Sequence, residues 1–172
     1  MQFNLIRPIT DEALELITHF EGFYPRPYKD PVGIPTIGIG TIAYPTGEKV
    51  KLSDPPITLE KAKEFLAFEL SEKADTIARF LEKNKIILND QQYSALVSFA
   101  YNCGCGAIID SGRSLNVAIK SGYPKNVADA FLLYNKATKY VLGVPVKVEL
   151  NGLTRRRKAE SYLYVNGVNK FT

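Results

Sequence analysis

Apolar side chains recur three and four positions apart through much of the chain, the spacing that lines one face of a helix. Ala13, Leu16, Ile17 and Phe20 form the first such stripe. Thr10 stands before it as an N-cap, Asp11 and Glu12 occupy the favourable first turn, and Gly22 is a natural stop. Glu21 therefore falls in the last turn of a short helix. Thr58 opens a much longer segment, about 59–83, whose stripe runs Ala62, Phe65, Leu66, Leu70, Ala74, Ile77 and Leu81. Asn89 with Gln92 three residues on has the form of a capping box. The helix behind it buries Tyr93, Leu96, Val97 and Ala100, reaches about Tyr101 and is ended by Gly104 or Gly106. Shorter helices are predicted near Ser114–Lys120 and Asn126–Asn135, and a last one from about Thr154 to Val165, stopped by Gly167.

Twice the pattern changes character. Between 23 and 44, Pro25, Pro27, Pro31 and Pro35 exclude helix while Gly33, Gly38 and Gly40 punctuate, so a β-hairpin or small sheet is predicted, closed by Asp54-Pro55-Pro56. Across 139–150, Tyr140, Val141, Val144, Val146, Val148 and Leu150 predict a second hairpin turning at Gly143 to Pro145. The expected fold class is α+β. An N-terminal lobe of about 10–58 carries a small β-sheet, a long helix of about 59–83 connects, and a mostly helical lobe of about 84–172 carries the hairpin. With no internal repeat and no low-complexity linker, 172 residues fit one domain.

Composition narrows the class. The chain is 45% hydrophobic and 23% charged, which excludes wholesale disorder, a collagen-like fibre and a disulfide scaffold. No stretch approaches the ~20 apolar residues of a membrane span, so stable membrane insertion is not expected. Met1 to Phe20 is interrupted by Asp11, Glu12 and Glu15 and reads as no signal peptide. Cys103 and Cys105 are too close in sequence for a ready disulfide, and a metal site would need further ligands where His19 is the only histidine. Both cysteines are read as small packing residues of a reducing compartment, and His19 as a surface or packing residue.

Charge matters once it is divided. Residues 1–86 carry 11 basic and 13 acidic side chains and residues 87–172 carry 11 and 5, so the halves stand at −2 and +6. The basic half suits a polyanion, whether nucleic acid, membrane surface or anionic polymer, or serves solubility alone. No recognition-helix or stacking-platform motif supports nucleic acid.

The candidate chemistry lies in the loop-rich residues 21–41. The negative end of a helix dipole and the apolar neighbours Phe20 and Phe23 favour the protonated form of Glu21, whereas Asp30, in an open turn, is expected to stay ionised. One protonated and one ionised carboxyl across a cleft is the pairing that glycoside hydrolysis uses. In Thr36-Ile-Gly-Ile-Gly40, Ile37 and Ile39 share one face while Thr36, Gly38 and Gly40 line the other. That second face suits either close approach by a sugar chain or a strand bent around a corner. No helix or Gly-Lys-Ser/Thr follows to make a phosphate loop.

Glu21, eight residues, Asp30, five residues, then Thr36 with Ile37-Gly38-Ile39-Gly40 resembles the catalytic signature of phage-type lysozymes, glycoside hydrolase family 24. Phe20-Glu21-Gly22 through Tyr28-Lys29-Asp30, the run 88–96 (LNDQQYSAL), Asn102-Cys-Gly-Cys-Gly106 and the run 152–160 (GLTRRRKAE) are similar to the family's motifs, in order, over about Thr10 to Tyr164. The resemblance implies a two-lobed lysozyme-like fold with the substrate cleft between the lobes. It implies hydrolysis of the β-1,4 bond between N-acetylmuramic acid and N-acetylglucosamine in bacterial peptidoglycan, with no metal or organic cofactor. Glu21 would be the general acid, Asp30 the base or electrostatic partner of a water, and Thr36 a holder of that water. An inverting outcome is implied, with the two carboxyl groups about 6.5–9.5 Å apart. Tyr28, Gly38, Gly40, Thr41, Asn102, Arg156 and Arg157 would bind substrate or support the site, with Arg156 or Arg157 reaching Glu21.

The sequence departs from the family at Thr41, where His is usual, at Tyr134, where Trp is common, and at Thr138-Lys139 in place of Gly-Gly; 139–150 is longer than typical. On a helix, Arg155, Arg156, Arg157 and Lys158 point in different directions. An exposed Arg156–Glu160 pair would be worth only about 0.3–0.5 kcal/mol. A monomer made in a host cytoplasm and reaching the wall after a separate membrane lesion is expected, with the basic half steering it to an anionic wall. The alternatives are a non-catalytic peptidoglycan-binding module and a lytic transglycosylase.

Overall fold

Residues 7–171 are described by the computed structural model. The reading of Met1 to Phe20 as free of a signal peptide falls partly on residues 1–6, outside the described residues. Helix α1 (Asp11–Glu21) begins where Thr10 Oγ1 accepts from the Ala13 amide at 3.3 Å, and it ends as Gly22 turns out at φ +80°. Its buried face, Ala13, Leu14, Leu16 and Ile17, packs mainly on α3 (Asp90–Cys103), with lesser contacts to α2 (Leu59–Lys83) and α7 (Asn151–Asn166). By packing, α1 thus belongs with the helices that follow the long connector.

After α1 comes a two-stranded antiparallel sheet, β1 (Tyr24–Lys29) and β2 (Pro35–Gly38), with Tyr28 opposite Thr36 and Lys29 opposite Pro35. A register irregularity between Tyr24 and Tyr28 lets the proline-rich strand bend. Bridges Ile37–Thr41 and Ala43–Lys49 continue the turn of the chain back toward α2. The long helix spans the residues that its stripe predicts, capped by Thr58 Oγ1 on the Lys61 amide at 3.2 Å. Asn89 and Gln92 form the reciprocal capping box of α3, and Gly104, at φ +78°, ends it.

The remaining elements differ in detail. A short helix α4 (Gly106–Ile109), unpredicted, carries Ala107 and Ile108 into the core. Helix α5 is Ser114–Ser121. Helix α6 is Pro124–Leu132, starting two residues before its predicted limit because Pro124 suits the first turn. The second hairpin begins earlier than expected, as β3 (Lys136–Val141) and β4 (Val144–Glu149), and it turns on Leu142-Gly143 rather than Gly143 to Pro145. Helix α7 likewise starts at Asn151, three residues before Thr154. One apolar core joins α1 to α7, with Phe99, Phe131, Leu96 and Leu163 among its buried side chains. Among the described residues, no helix is long and apolar enough to cross a membrane.

Candidate active site

Glu21 closes α1 at the junction with β1, and its side chain is 30% exposed. Its Oε1 accepts from Arg156 Nη1 at 2.5 Å. Of the two arginines left open by the sequence, Arg156 makes this contact. The guanidinium is buried and lies over the rings of Phe20 and Tyr101, 5.6 and 5.7 Å from their centroids. Its Nε stands 3.4 Å from Glu160 Oε1, and its Nη2 donates to the Ser98 carbonyl at 3.4 Å.

Asp30 sits in the tight turn between β1 and β2. Its Oδ1 accepts from the amides of Val32 (2.9 Å) and Ile34 (2.8 Å), which fixes the carboxylate's orientation. The Asp30 amide donates to the Ile34 carbonyl, and the same carbonyl takes a 3.0 Å hydrogen bond from Thr36 Oγ1. Asp30, Ile34 and Thr36 are thus one hydrogen-bonded turn. Tyr28 packs beside this turn. It pairs with Thr36 across the strands, its ring lies 4.5 Å from that of Tyr24, and its hydroxyl is pushed up first by burial, then by Tyr24, Asp30 and Glu21.

The glycines of 36–40 serve the protein rather than an open surface. A Cβ on Gly38, at φ +68°, would stand 3.0 Å from Ala62 Cβ and 3.1 Å from Ile57 Cδ1, so this glycine lets β2 close on the long helix. A Cβ on Gly40 would meet the Tyr101 hydroxyl at 3.0 Å. For Gly38 these contacts support the strand bent around a corner, while Gly40 is half-buried beside Tyr101. Thr41 is fully buried, and its hydroxyl faces the buried carboxyl oxygen of Glu69 on α2. The Glu69 carboxyl is raised by burial, against the lowering influence of Thr41 and Lys73. Tyr101 is raised strongly, first by burial and then by Glu21 and Glu69, so Glu69 adds a further carboxyl to this region.

Arg157 is wholly buried and takes a different route. Its Nη2 donates to Asn102 Oδ1 at 3.1 Å and to Glu160 Oε1 at 3.0 Å, and its ring partner is Phe99 at 4.8 Å. Its Nε faces Glu160 Oε2 at 2.9 Å, an ion pair too bent for a hydrogen bond. Glu160 also accepts from Ser98 Oγ at 2.8 Å; burial pushes its carboxyl up, while Arg157, Arg156 and Ser98 pull it down. The Arg156–Glu160 pair is therefore a buried network rather than the exposed helix-surface pair expected from spacing. Arg155 and Lys158 do face solvent.

Two packing expectations meet different outcomes. Cys103 is exposed, not packed, and its thiol stands 2.8 Å from Arg157 Nη1, while Cys105 is half-buried. His19 stacks on Phe171 with centroids 4.1 Å apart, a packing role. Tyr134 sets its ring edge-on to Phe99 at 5.0 Å. Beside the Arg156 guanidinium, Phe20, Asn102, Leu150, Gly152 and Leu153 line a pocket of about 380 Å³. The residues that sequence reasoning missed are Ser98 and Tyr101, polar positions in a helical stripe with no local signal, and Glu69, whose i,i+4 partner Lys73 gives it the look of a surface residue.

Residues 18–160 match the phage lysozyme family. The chain is 32% identical over 162 residues to an endolysin of Bacillus phage B103, covering 94% of this chain and 56% of that protein, so it spans little more than half the length of that relative. In structure it is similar to the endolysin from Escherichia coli O157:H7 phage FAHEc1, with a TM-score of 0.80, 32% identity and coverage of 98% of this chain and 99% of the other. It is also similar to the muramidase domain of SpmX from Asticaccaulis excentricus, with a TM-score of 0.71, 26% identity and coverage of 93% and 99%. Fold, ordered motifs and family match agree: the chain belongs to the phage lysozyme family.

Proposed function

We propose that this chain is a muramidase: one catalytic domain that, as a monomer, hydrolyses the β-1,4 bond between N-acetylmuramic acid and N-acetylglucosamine in bacterial peptidoglycan. The observation that carries the reading is that Glu21 and Asp30 stand at the two ends of β1, each carboxyl oriented by the protein: Arg156 on Glu21 Oε1, two backbone amides on Asp30 Oδ1. Glu21 protonates the glycosidic oxygen as the bond to the anomeric carbon breaks. Asp30 takes a proton from a water that attacks that carbon from the opposite face, and Thr36 braces the turn that aims Asp30. The configuration at the anomeric carbon inverts. The homologous endolysins and the muramidase domain among similar structures support this substrate class.

The protein is proposed to be made in a host cytoplasm and to act on the wall after release. Clearing of permeabilised bacterial walls tests the assignment. Glu21→Gln is expected to lose at least about 100-fold in rate, the usual worth of a general acid, with its melting temperature retained. Asp30→Asn should cost nearly as much, and Thr36→Ala less. Wall clearing by Glu21→Gln at the parent rate would overturn the acid assignment. Mass spectrometry of the digest distinguishes hydrolysis (reducing ends) from lytic transglycosylation (1,6-anhydro ends) and from mere binding (no new ends).

A further inference from the structure

The β3–β4 hairpin has no evident part in that chemistry. It pairs six residues on six, from Lys136–Glu149 to Val141–Val144, yet nearly every side chain on both of its faces is exposed. An isolated two-stranded hairpin is marginal in water, so one with its apolar residues outward is incomplete by itself. Residues 140–146 read Tyr-Val-Leu-Gly-Val-Pro-Val, without a charge. Leu142 is fully exposed at the tip, and Tyr140 is 74% exposed. Leu142 also holds φ +50°, a left-handed turn position where Asn or Gly is favoured. A bulky apolar side chain in a disfavoured conformation, touching nothing, contributes little to folding.

Charge lies behind the tip. Lys136, Lys139 and Lys147 stand against Glu149 alone. At the rise of a strand, Lys139 and Lys147 sit about 10 Å back from the turn. That matches the 5–10 Å to which interfacial elements enter the headgroup and acyl boundary. We propose that this hairpin docks the protein, peripherally and reversibly, on an anionic lipid bilayer, with residues 140–144 seated in the interface and Lys139 and Lys147 against the headgroups.

Other occupants fit less well. A second copy would bring the same excess of positive charge. A sugar chain would meet almost no hydrogen-bonding side chain between 141 and 146. Addition of an outside strand is opposed by Pro145, which has no amide proton, and by the lysines along the strands.

Sedimentation of the full chain with vesicles tests this. The parent is expected to pellet with vesicles of equal phosphatidylglycerol and phosphatidylcholine and to stay in solution with pure phosphatidylcholine. Leu142→Asn suits the turn and preserves the hairpin; it should weaken partition at least about tenfold, the worth of one leucine side chain leaving an apolar setting. Lys139→Gln with Lys147→Gln should weaken it as well, and both variants should digest extracted peptidoglycan at the parent rate. Equal partition into both vesicles, no partition into either, or parent-like partition by Leu142→Asn would overturn the proposal. So would a dimer that Leu142→Asn dissolves, which marks a self-association surface, or binding to isolated walls that Leu142→Asn abolishes, which marks a wall-polymer surface.

Discussion

Arg156 on α7 meets Glu21 at the end of α1 across 135 positions of sequence, with Nη1 2.5 Å from Oε1. The guanidinium is held from behind by Glu160 and the Ser98 carbonyl and flanked by Phe20 and Tyr101. A planar, forked cation can serve these acceptors at once, whereas an ammonium cannot. The candidate acid is thereby positioned by the helical core rather than by its own flexible neighbours.

Arg156→Lys is accordingly expected to fold but to lower kcat with little change in KM, because the point charge cannot hold Glu21 and Glu160 together. Arg156→Met, by leaving buried Glu160 with one arginine, should lose stability as well, by about 3 kcal/mol or more. Steady-state kinetics on peptidoglycan and thermal melts separate the two effects. Parent kinetics in Arg156→Lys would remove the positioning role.

Glu160 is wholly buried between two arginines and Ser98. Removing one charge from such a network strands the others, typically at about 3–5 kcal/mol. For a chain of this size, Glu160→Gln should therefore lower the melting temperature by roughly 6–20 °C. A fall within about 1 °C would mean that the network carries no stability.

Much of this architecture is written in short-range signals. Thr10, Thr58 and the Asn89–Gln92 pair start helices by bonding amides three residues away, so their effect is readable locally. The turn holding Asp30 is equally local, because its donors, Val32 and Ile34, are two and four residues on. Long-range polar partners are different. Nothing near Arg156 and Arg157 in sequence tells which one faces Glu21; that depends on the rotation of α7 on α3. Ser98 and Tyr101 sit in an apolar stripe with no local partner to declare them, whereas Glu69 with Lys73 four residues on reads as an ordinary helix-surface pair and hides its buried position. The hairpin starts before its apolar alternation does, because its first pairs, Lys136–Glu149 and Thr138–Lys147, are polar.

Glu69 sets a pH dependence. Burial raises its carboxyl above the ordinary glutamate value of 4.5, so the folded state binds this proton more tightly than the unfolded chain does. The stabilisation is fully present below the unfolded value and is lost as pH rises through the folded value. Glu69→Gln mimics the protonated form and keeps a polar group near Thr41. Its melting temperature should exceed the parent's at pH 7, with the advantage shrinking toward zero as pH falls below about 4.5. An advantage that grows on acidification would reverse the sign and refute the burial argument.

Gly38 tests whether the glycines of 36–40 admit a neighbouring helix or a ligand. Alanine there meets Ala62 Cβ at 3.0 Å and Ile57 Cδ1 at 3.1 Å in a left-handed conformation, φ +68°. Left-handed backbone costs a non-glycine residue about 1–2 kcal/mol, and forcing a methyl into a packed contact adds about 1–3 kcal/mol. Gly38→Ala should thus destabilise by roughly 2–5 kcal/mol on those two contributions. Gly33→Ala, also left-handed at φ +89° but with open space around it, should cost the backbone contribution alone. Ala62→Gly removes the methyl that Gly38→Ala would strike, at about 1 kcal/mol for a glycine within a helix. The double variant should therefore be more stable than the sum of the two single losses predicts, a coupling of at least about 0.5 kcal/mol in a denaturation cycle. Simple additivity would show that α2 does not crowd Gly38, and the glycine would then be left without a structural reason.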